Sequence, residues 1–283
     1  MSNKKRKQQV VFWIIRLMTL GVVGVLCWIL GFLIVKGAGA ISWEFLTGYP
    51  SGGMTEGGIL PAIAGTLSLV AGSIAVAFPV GVFSGIYTSE YAPNNKIVRL
   101  LRIMTNNLAG IPSIVFGLFG MSLFVNTLGF GDSIIAGSLT LGLLVLPLVI
   151  RTTEEALNAV PQTFRQASYA LGATKVQTIR RVVLPMAFPN IMTGLILSVG
   201  RVSGETAPIL FTVAAYFLPR LPRSLSDQVM ALPYHLYVLA TSGTDIEASR
   251  PMAYGTALVL ILIVLIINVL AGLIRARFTK RMN

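Results

Sequence analysis

Long apolar segments separated by short polar connections dominate the chain. Six of these segments are long enough to cross about 30 Å of hydrocarbon, which takes roughly 20 apolar residues. They run approximately from Val10 to Val35, Ile59 to Tyr87, Ile103 to Leu128, Ser133 to Ile150, Ala187 to Phe217 and Met252 to Ile274. The pattern predicts an all-α integral membrane protein with six transmembrane helices. We expect one membrane domain over residues 10–283, preceded by a short basic segment at 1–9.

Composition supports a membrane environment. Hydrophobic residues make up 54% of the 283 positions and charged residues only 11%, against about 25% charged residues in an average soluble domain. The first apolar segment is too long for the apolar region of a secretory signal and has no small-residue cleavage pattern after it. It is therefore expected to be a retained membrane anchor.

The net charge of +12 is unevenly distributed along the chain. Most lysines and arginines lie at the two ends and in the connections after the second and fourth segments, and the other connections are slightly acidic. Basic connections favour the cytoplasmic side of a membrane. The charge pattern therefore places both termini in the cytoplasm, and it is explained by orientation rather than by nucleic-acid binding.

Residues for metal or nucleotide chemistry are sparse. Cys27 and His235 are the only cysteine and the only histidine, so neither a disulfide nor a metal site is expected. We interpret His235 as an ordinary polar residue of an outer loop. No G-x-x-x-x-G-K-[ST] phosphate loop occurs in the chain, and no catalytic residue or bound cofactor is predicted.

Small residues and prolines recur inside the apolar segments. Gly81 and Gly85, four residues apart in "GVFSG", are spaced so that helix backbones in lipid can approach closely. Two interpretations remain open: a tightly packed bundle, or helices that bend and slide during a transport cycle. A long outer connection at about 218–251 either packs back on the bundle, as a docking or plugging element, or is an irregular loop.

The connection at about 151–185 is long for a compact protein, and such connections are usually functional. Two stretches match the capping box, beginning at Thr163 and at Thr174, and Gly172 between them is typical of a helix end. We therefore predict two short helices separated by a glycine. Their exposed face is expected to be basic, through Arg165, Lys175, Arg180 and Arg181. This hairpin is either a solvated surface element or a projection that fits a partner.

The same connection resembles a family pattern. Permease subunits of binding-protein-dependent ABC importers carry E-A-A-x3-G-x9-I-x-L-P, and here Ala167, Gly172, Leu184 and Pro185 match in register, while Gln166, Ser168 and Val182 differ. The resemblance implies a type I (MetI-like) permease bundle, with a coupling helix within 164–181 that seats on an ATPase subunit. The coupling residues it implies are Gln166, Ala167, Ser168, Gly172, Ala173, Thr174 and Lys175.

Two further stretches narrow the resemblance. "GRVSGETAPILFT" and "EGGILPAIAGTLSLV" are similar to the phosphate-specific importer, and the latter stretch resembles its PstA-type permease more than its PstC-type permease. This implies a multi-pass subunit of the bacterial plasma (inner) membrane, in contact with lipid. The implied partners are a PstC-type permease, two PstB-type ATPase subunits that use ATP and Mg, and a PstS-type phosphate-binding protein.

Arg201 and Glu205 are ionisable residues within an apolar segment, spaced i and i+4. Ionisable groups at membrane depth usually face a cavity and mark a solute route, although an ion pair that only locks two helices is the alternative. We predict that Arg201 contacts phosphate in transit and that Glu205 is its counter-charge. Further pathway candidates, each of which has a helix-bridging hydrogen bond as its alternative role, are Ser203, Thr206, Asn106 and Asn107.

The predicted function is that of a permease subunit of an ATP-driven phosphate importer. Alternatives are an ABC permease for a different small anion or solute, and a membrane scaffold that senses phosphate. An ion-coupled secondary transporter is disfavoured, because the apolar segments carry a single acid and such a protein has no use for the coupling pattern.

Overall fold

The computed structural model describes residues 3–93, 95–242 and 246–280. The helices are α1 (Asn3–Gly37), α2 (Trp43–Thr47), α3 (Leu60–Ile86), α4 (Lys96–Leu108), α5 (Ser113–Gly120), α6 (Ile134–Asn158), α7 (Gln162–Ala170), α8 (Lys175–Thr178), α9 (Leu184–Gly204), α10 (Ala207–Leu210), α11 (Leu232–Thr241) and α12 (Ile246–Lys280). Wider π-helical turns continue three of them, at Tyr87–Tyr91, Met121–Thr127 and Ile179–Val183. A small antiparallel hairpin of β1 (Pro50–Ser51) and β2 (Glu56–Gly57) follows α2, next to a 3₁₀ turn. The extreme ends of both predicted cytoplasmic termini, residues 1–2 and 281–283, lie outside the described residues.

The architecture confirms an all-α membrane protein. Within the described residues, five helices are long and apolar enough to cross a membrane, and there are six crossings if one bent pair of helices counts as one span. The five contain α1, α3, α6, α9 and α12. Several begin or end outside the predicted bounds: α6 continues past Ile150 to Asn158, and α12 already begins at Ile246, inside the predicted outer connection.

The third predicted span is not a continuous helix. α4 and α5 meet at an angle of 102° across the short break between them. Pro112 lies in this break, where it lacks the amide hydrogen that a continuous helix would use and disfavours helical geometry at Ile111. The segment therefore forms an amphipathic helix followed by a separate, more apolar one.

The fifth predicted span also ends early. α9 stops at Gly204, and Glu205 adopts an extended conformation with φ −77° and ψ 124°. Pro208 lacks the amide hydrogen that would bond the carbonyl oxygen of Gly204, and it lies instead in the first turn of a new helix, where no such bond is needed. The chain restarts in the single turn of α10 and then runs irregularly to α11.

Close packing of α3 against α6 builds the centre of the bundle. Gly81 lies against the side chain of Val149, and Gly85 lies against Thr153 and the carbonyl oxygen of Ile150. A methyl group at either glycine would approach its neighbours to less than 3 Å. The close approach predicted from the small-residue spacing is therefore confirmed, and a core that includes Leu69, Leu141, Leu144, Val202 and Val213 fills the space beside it.

The long outer connection contains a helix that packs back on the bundle. α11 packs against α12 and α3, and its Leu232 and Val238 belong to a core with Phe45 and Ile59. His235 on this helix is only 2% exposed, and neither ring nitrogen has a hydrogen-bond partner among the described residues. The interpretation of His235 as an ordinary loop residue is therefore wrong. Burial lowers the pKa of His235 from 6.5 to about 4.

We predict that Gly81→Ala and Gly85→Ala each destabilise the protein by about 1–3 kcal/mol, because the added methyl group forces α3 and α6 apart. Thermal unfolding in detergent measures the loss. Gly24→Ala is the matched control, since nothing lies within 4 Å of a methyl group at that helical glycine. Unfolding temperatures that fall equally in all three variants would contradict the packing argument.

His235 makes stability depend on pH. The unfolded chain takes up a proton near pH 6.5 and the folded chain only near pH 4, so stability is complete above pH 6.5 and falls as the pH decreases. At pH 5 we expect a loss of about 2 kcal/mol relative to pH 7.5. His235→Leu removes this contribution, and thermal unfolding between pH 7.5 and pH 5 should show a smaller slope than the wild type. Identical slopes would show that His235 does not titrate in this way.

Candidate functional site

Arg201 and Glu205 form an ion pair across the end of α9. The Nε atom of Arg201 lies 3.5 Å from Oε1 of Glu205, and their side chains are 34% and 18% exposed. Charge-assisted hydrogen bonds are usually about 2.7–2.9 Å long, so this pair is loose. The extended backbone at Glu205, rather than a continuous helical face, brings the carboxylate to the guanidinium.

The carboxylate of Glu205 lies beside the core. A narrow cleft with a volume of about 10 Å³ is lined by Glu205 and Ser203 together with apolar residues of α3, α6 and α10. Such a volume accommodates about one water molecule. An anion the size of phosphate therefore does not fit between Glu205 and the rest of this chain.

Arg201, in contrast, is partly exposed on the surface of the chain. No other hydrogen bond engages its guanidinium within the described residues. Gly204 on the same stretch is exposed, with nothing within 4 Å of the position where a Cβ would lie. We use the term Arg201 surface for the exposed sides of Arg201 and Gly204. This surface is open to a ligand or a second subunit.

The remaining pathway candidates are distributed over two places. Ser203 is buried, and its hydroxyl donates to the carbonyl oxygen of Val199 at 2.7 Å, while Thr206 precedes α10 and is half-buried. Asn106 and Asn107 are exposed near the end of α4. Asn106 lines a different cavity of about 260 Å³, whose wall includes Arg102. Ser203 and Thr206 therefore lie beside Arg201 and Glu205 at the end of α9, whereas Asn106 lines another cavity.

The connection after α6 folds as two short helices with a glycine between them. Gly172 has a φ of +78°. Its amide donates to the carbonyl oxygen of Tyr169, and the amide of Ala173 donates to the carbonyl oxygen of Ser168. This is the Schellman arrangement of a helix end. Thr174 and Gln177 then form the predicted capping box at the start of α8. These two features confirm the prediction for this half of the connection.

The predicted cap at Thr163 is wrong. α7 begins at Gln162, and Pro161 occupies the capping position, where its carbonyl oxygen accepts a bond from the amide of Phe164. Thr163 therefore lies within the first turn. We use the term coupling segment for residues 162–183, that is α7, α8 and the π-helical turn after them.

Arg165 does not belong to an exposed basic face. Its side chain is only 8% exposed and its Nη2 atom lies 2.7 Å from Oε1 of Glu90, which is 9% exposed. The guanidinium also donates to the carbonyl oxygens of Val160 at 2.6 Å and Leu157 at 2.9 Å, just beyond and at the end of α6. The prediction of an exposed Arg165 is therefore wrong, because this arginine has a buried carboxylate and two carbonyl oxygens to bind.

The other residues implied for ATPase coupling lie at or near the surface. The exposed ones are Gln166, Ala167, Gly172, Thr174 and Lys175, and the half-buried ones are Ser168 and Ala173. The hydroxyl groups of Ser168 and Thr178 lie 2.9 Å apart and connect α7 to α8. Together these residues form an outward surface on the coupling segment. No group of three or more His, Cys, Asp or Glu side chains that would hold a metal ion occurs in the part of the chain that the structure describes.

Comparison with known proteins places the chain in a family. The sequence profile of the binding-protein-dependent transport system inner membrane component matches residues 77–283, which include the coupling segment and the Arg201 surface. The chain belongs to this permease family. It is therefore a multi-pass membrane transport subunit, as the apolar helices also indicate.

Individual relatives extend the likeness beyond the matched residues. The permease is 33% identical over 274 residues to the probable ABC transporter permease protein YqgI of Bacillus subtilis, covering 93% of this chain and 92% of that protein. It is 40% identical over 225 residues to the phosphate transport system permease protein PstA 1 of Mycobacterium tuberculosis, covering 80% and 73%. A solved bacterial ABC transporter involved in the import of alginate shares the fold, with a TM-score of 0.64 at 13% identity and 96% coverage of both chains.

Sequence reasoning missed Glu90 as part of the site. Glu90 and Arg165 lie 75 residues apart in the chain, and no local spacing rule connects them. The one available indication was an acidic residue in a predominantly basic connection. A second unforeseen ion pair joins Arg102 of α4 to Glu154 of α6 at 2.7 Å.

We predict that Gly172→Ala loosens the coupling segment. A φ of +78° costs an L-residue about 1–2 kcal/mol, and nothing lies within 4 Å of a methyl group there, so the effect is conformational rather than steric. Hydrogen exchange of amides in residues 162–183 should accelerate about five- to thirtyfold, which is the same free energy expressed as a change in the local opening equilibrium. Gly172→Asn should change less, because asparagine tolerates this conformation. Unchanged exchange in Gly172→Ala would contradict the prediction.

Proposed function

We propose that this permease is the PstA-type subunit of an ATP-driven importer of inorganic phosphate. The observation that carries the proposal is the partly exposed guanidinium of Arg201, held only loosely by Glu205 at the end of a candidate membrane helix. The name of the Mycobacterium tuberculosis relative, a phosphate transport system permease, supports phosphate as the solute.

The geometry suits a transient anion contact. A guanidinium offers a planar fork of donors that matches phosphate oxygens. Because the ion pair measures 3.5 Å and is partly exposed, an arriving anion has little hydrogen bonding to displace. Glu205 neutralises Arg201 when no anion is bound, and its charge speeds release by keeping the anion from binding too tightly.

The position of Arg201 supports a solute path that is shared with a second subunit. The cleft beside Glu205 holds about one water, so the anion passes over the exposed side of Arg201. We propose that a PstC-type permease covers this surface and that a PstS-type binding protein delivers phosphate to the path between the two. Ser203, Thr206, Asn106 and Asn107 remain proposed pathway residues.

Inward movement of phosphate requires an energy source. Each negative charge that moves into an inside-negative compartment costs about 2.3 kcal/mol per 100 mV. We propose that two PstB-type subunits hydrolyse ATP with Mg and act through the coupling residues from Gln166 to Lys175, and that this chain has no ATPase site and binds no cofactor of its own. The proposed setting is the bacterial plasma membrane, with both termini in the cytoplasm.

Arg201→Gln tests the proposal. In vesicles that contain the assembled complex, ATP-dependent uptake of labelled phosphate should fall about tenfold or more, because one charged contact with the anion is lost. Arg250→Gln is the matched control, since this exposed arginine belongs to another short-range ion pair, with Glu247, and should leave uptake unchanged. Sulfate serves as the competing anion.

The outcomes separate the parts of the proposal. Normal uptake by an equally assembled Arg201→Gln complex would show that the ion pair is structural. If the wild-type complex hydrolyses ATP but ignores phosphate, the solute assignment fails and an importer of a different small anion or solute remains.

A further inference from the structure

The π-helical turn Tyr87–Tyr91 continues α3 at the end of the bundle that carries the coupling segment. Four consecutive residues of this turn each contact a different helix. The carbonyl oxygen of Thr88 accepts a bond from Arg102 of α4 at 2.9 Å, and the hydroxyl of Ser89 donates to Asn158 of α6 at 3.0 Å. Glu90 pairs with Arg165 of α7, and the Tyr91 ring lies 4.9 Å from the ammonium of Lys175 on α8.

The contact through Glu90 is built differently from an ordinary helix contact. Arg165 is the one buried residue of α7, so an arginine, rather than an apolar side chain, anchors this helix to the bundle. Its guanidinium binds Glu90 and the two carbonyl oxygens of Val160 and Leu157 at once. Because these bonds are directional and the group is buried, α7 cannot rotate or slide without breaking them.

We propose that the turn Tyr87–Tyr91 is the joint that transmits movement of the coupling segment to α3 and α4, with Glu90 and Arg165 as its positioning residues. This inference rests on the proposed ATP-driven function. A displacement of α7 reaches α3 directly through Glu90, and it reaches α4 through the bond between Thr88 of the same turn and Arg102 of α4. The turn presents four successive residues to four different helices.

The test measures phosphate uptake and ATP hydrolysis in the same vesicles that hold the complete complex. In Glu90→Gln and Arg165→Gln, hydrolysis should continue while the phosphate carried per ATP falls about tenfold, within the range that packed networks contribute to coupling. A merely structural role would lower both activities together through poorer assembly. An unchanged ratio in every assembled variant would therefore overturn the proposal.

Matched variants identify the cause. Glu56→Gln and Arg99→Gln make the same chemical changes at exposed positions outside the joint and should keep the wild-type ratio. Arg165→Lys keeps a positive charge and hydrogen-bond donors beside Glu90 and the two carbonyl oxygens, and it should retain more of the ratio than Arg165→Gln. Should a buried variant fail to assemble, Ser89→Ala removes only one hydrogen bond of the joint, and we expect it to assemble and lower the ratio about twofold.

A second measurement separates this inference from the proposed solute. The PstS-type binding protein should stimulate ATP hydrolysis by the wild-type complex, and Glu90→Gln should abolish the stimulation while the basal rate remains. Failure of wild-type phosphate uptake refutes the proposed function alone. Full stimulation in assembled Glu90→Gln refutes the joint alone.

Discussion

The close approach of α3 and α6 is the contact on which the rest of the structure depends. Gly81 and Gly85 let the backbone of α3 lie directly against Val149 and Thr153 of α6, and in lipid such packing replaces the hydrophobic drive that operates in water. The contact aligns the ends of both helices. Glu90 beyond α3 and the last carbonyl oxygens of α6 consequently lie where a single arginine of α7 reaches them.

The two arginine–glutamate pairs described above differ in length and burial, and these differences suit them to different roles. The pair of Arg165 and Glu90 is buried, only 2.7 Å long and completed by backbone acceptors. Breaking such a pair is costly, because the remaining partner is left buried and uncompensated. The pair of Arg201 and Glu205 is longer, partly exposed and incomplete. The first pair fixes α7, and the second is consistent with the proposed exchange of a carboxylate for a passing anion.

Two helix breaks lie beside prolines, although Pro79, Pro147 and Pro189 lie inside continuous helices. Pro112 lies in the break between α4 and α5, where its missing amide hydrogen disfavours a continuous helix, and Pro208 lies in the first turn of α10, just after α9 ends at Gly204. Non-helical backbone at membrane depth is tolerated where it is buried in protein or lines a cavity. The interruption at Glu205 meets this condition, since the residue borders the narrow cleft. A helix break and a charged pair thus occur together at one place.

Local sequence determined the features that depend on neighbours in the chain. The apolar segments, the αL glycine at Gly172, the cap at Thr174 and the pairing of Arg201 with Glu205 all follow from hydropathy or from contacts a few residues apart. The same reasoning misplaced Arg165, because a charged residue in a basic connection is ordinarily solvated. Only the tertiary structure decided its burial and the contacts that four helices make with the turn Tyr87–Tyr91. These require groups distant in sequence to meet, and that depends on how closely α3 and α6 pack.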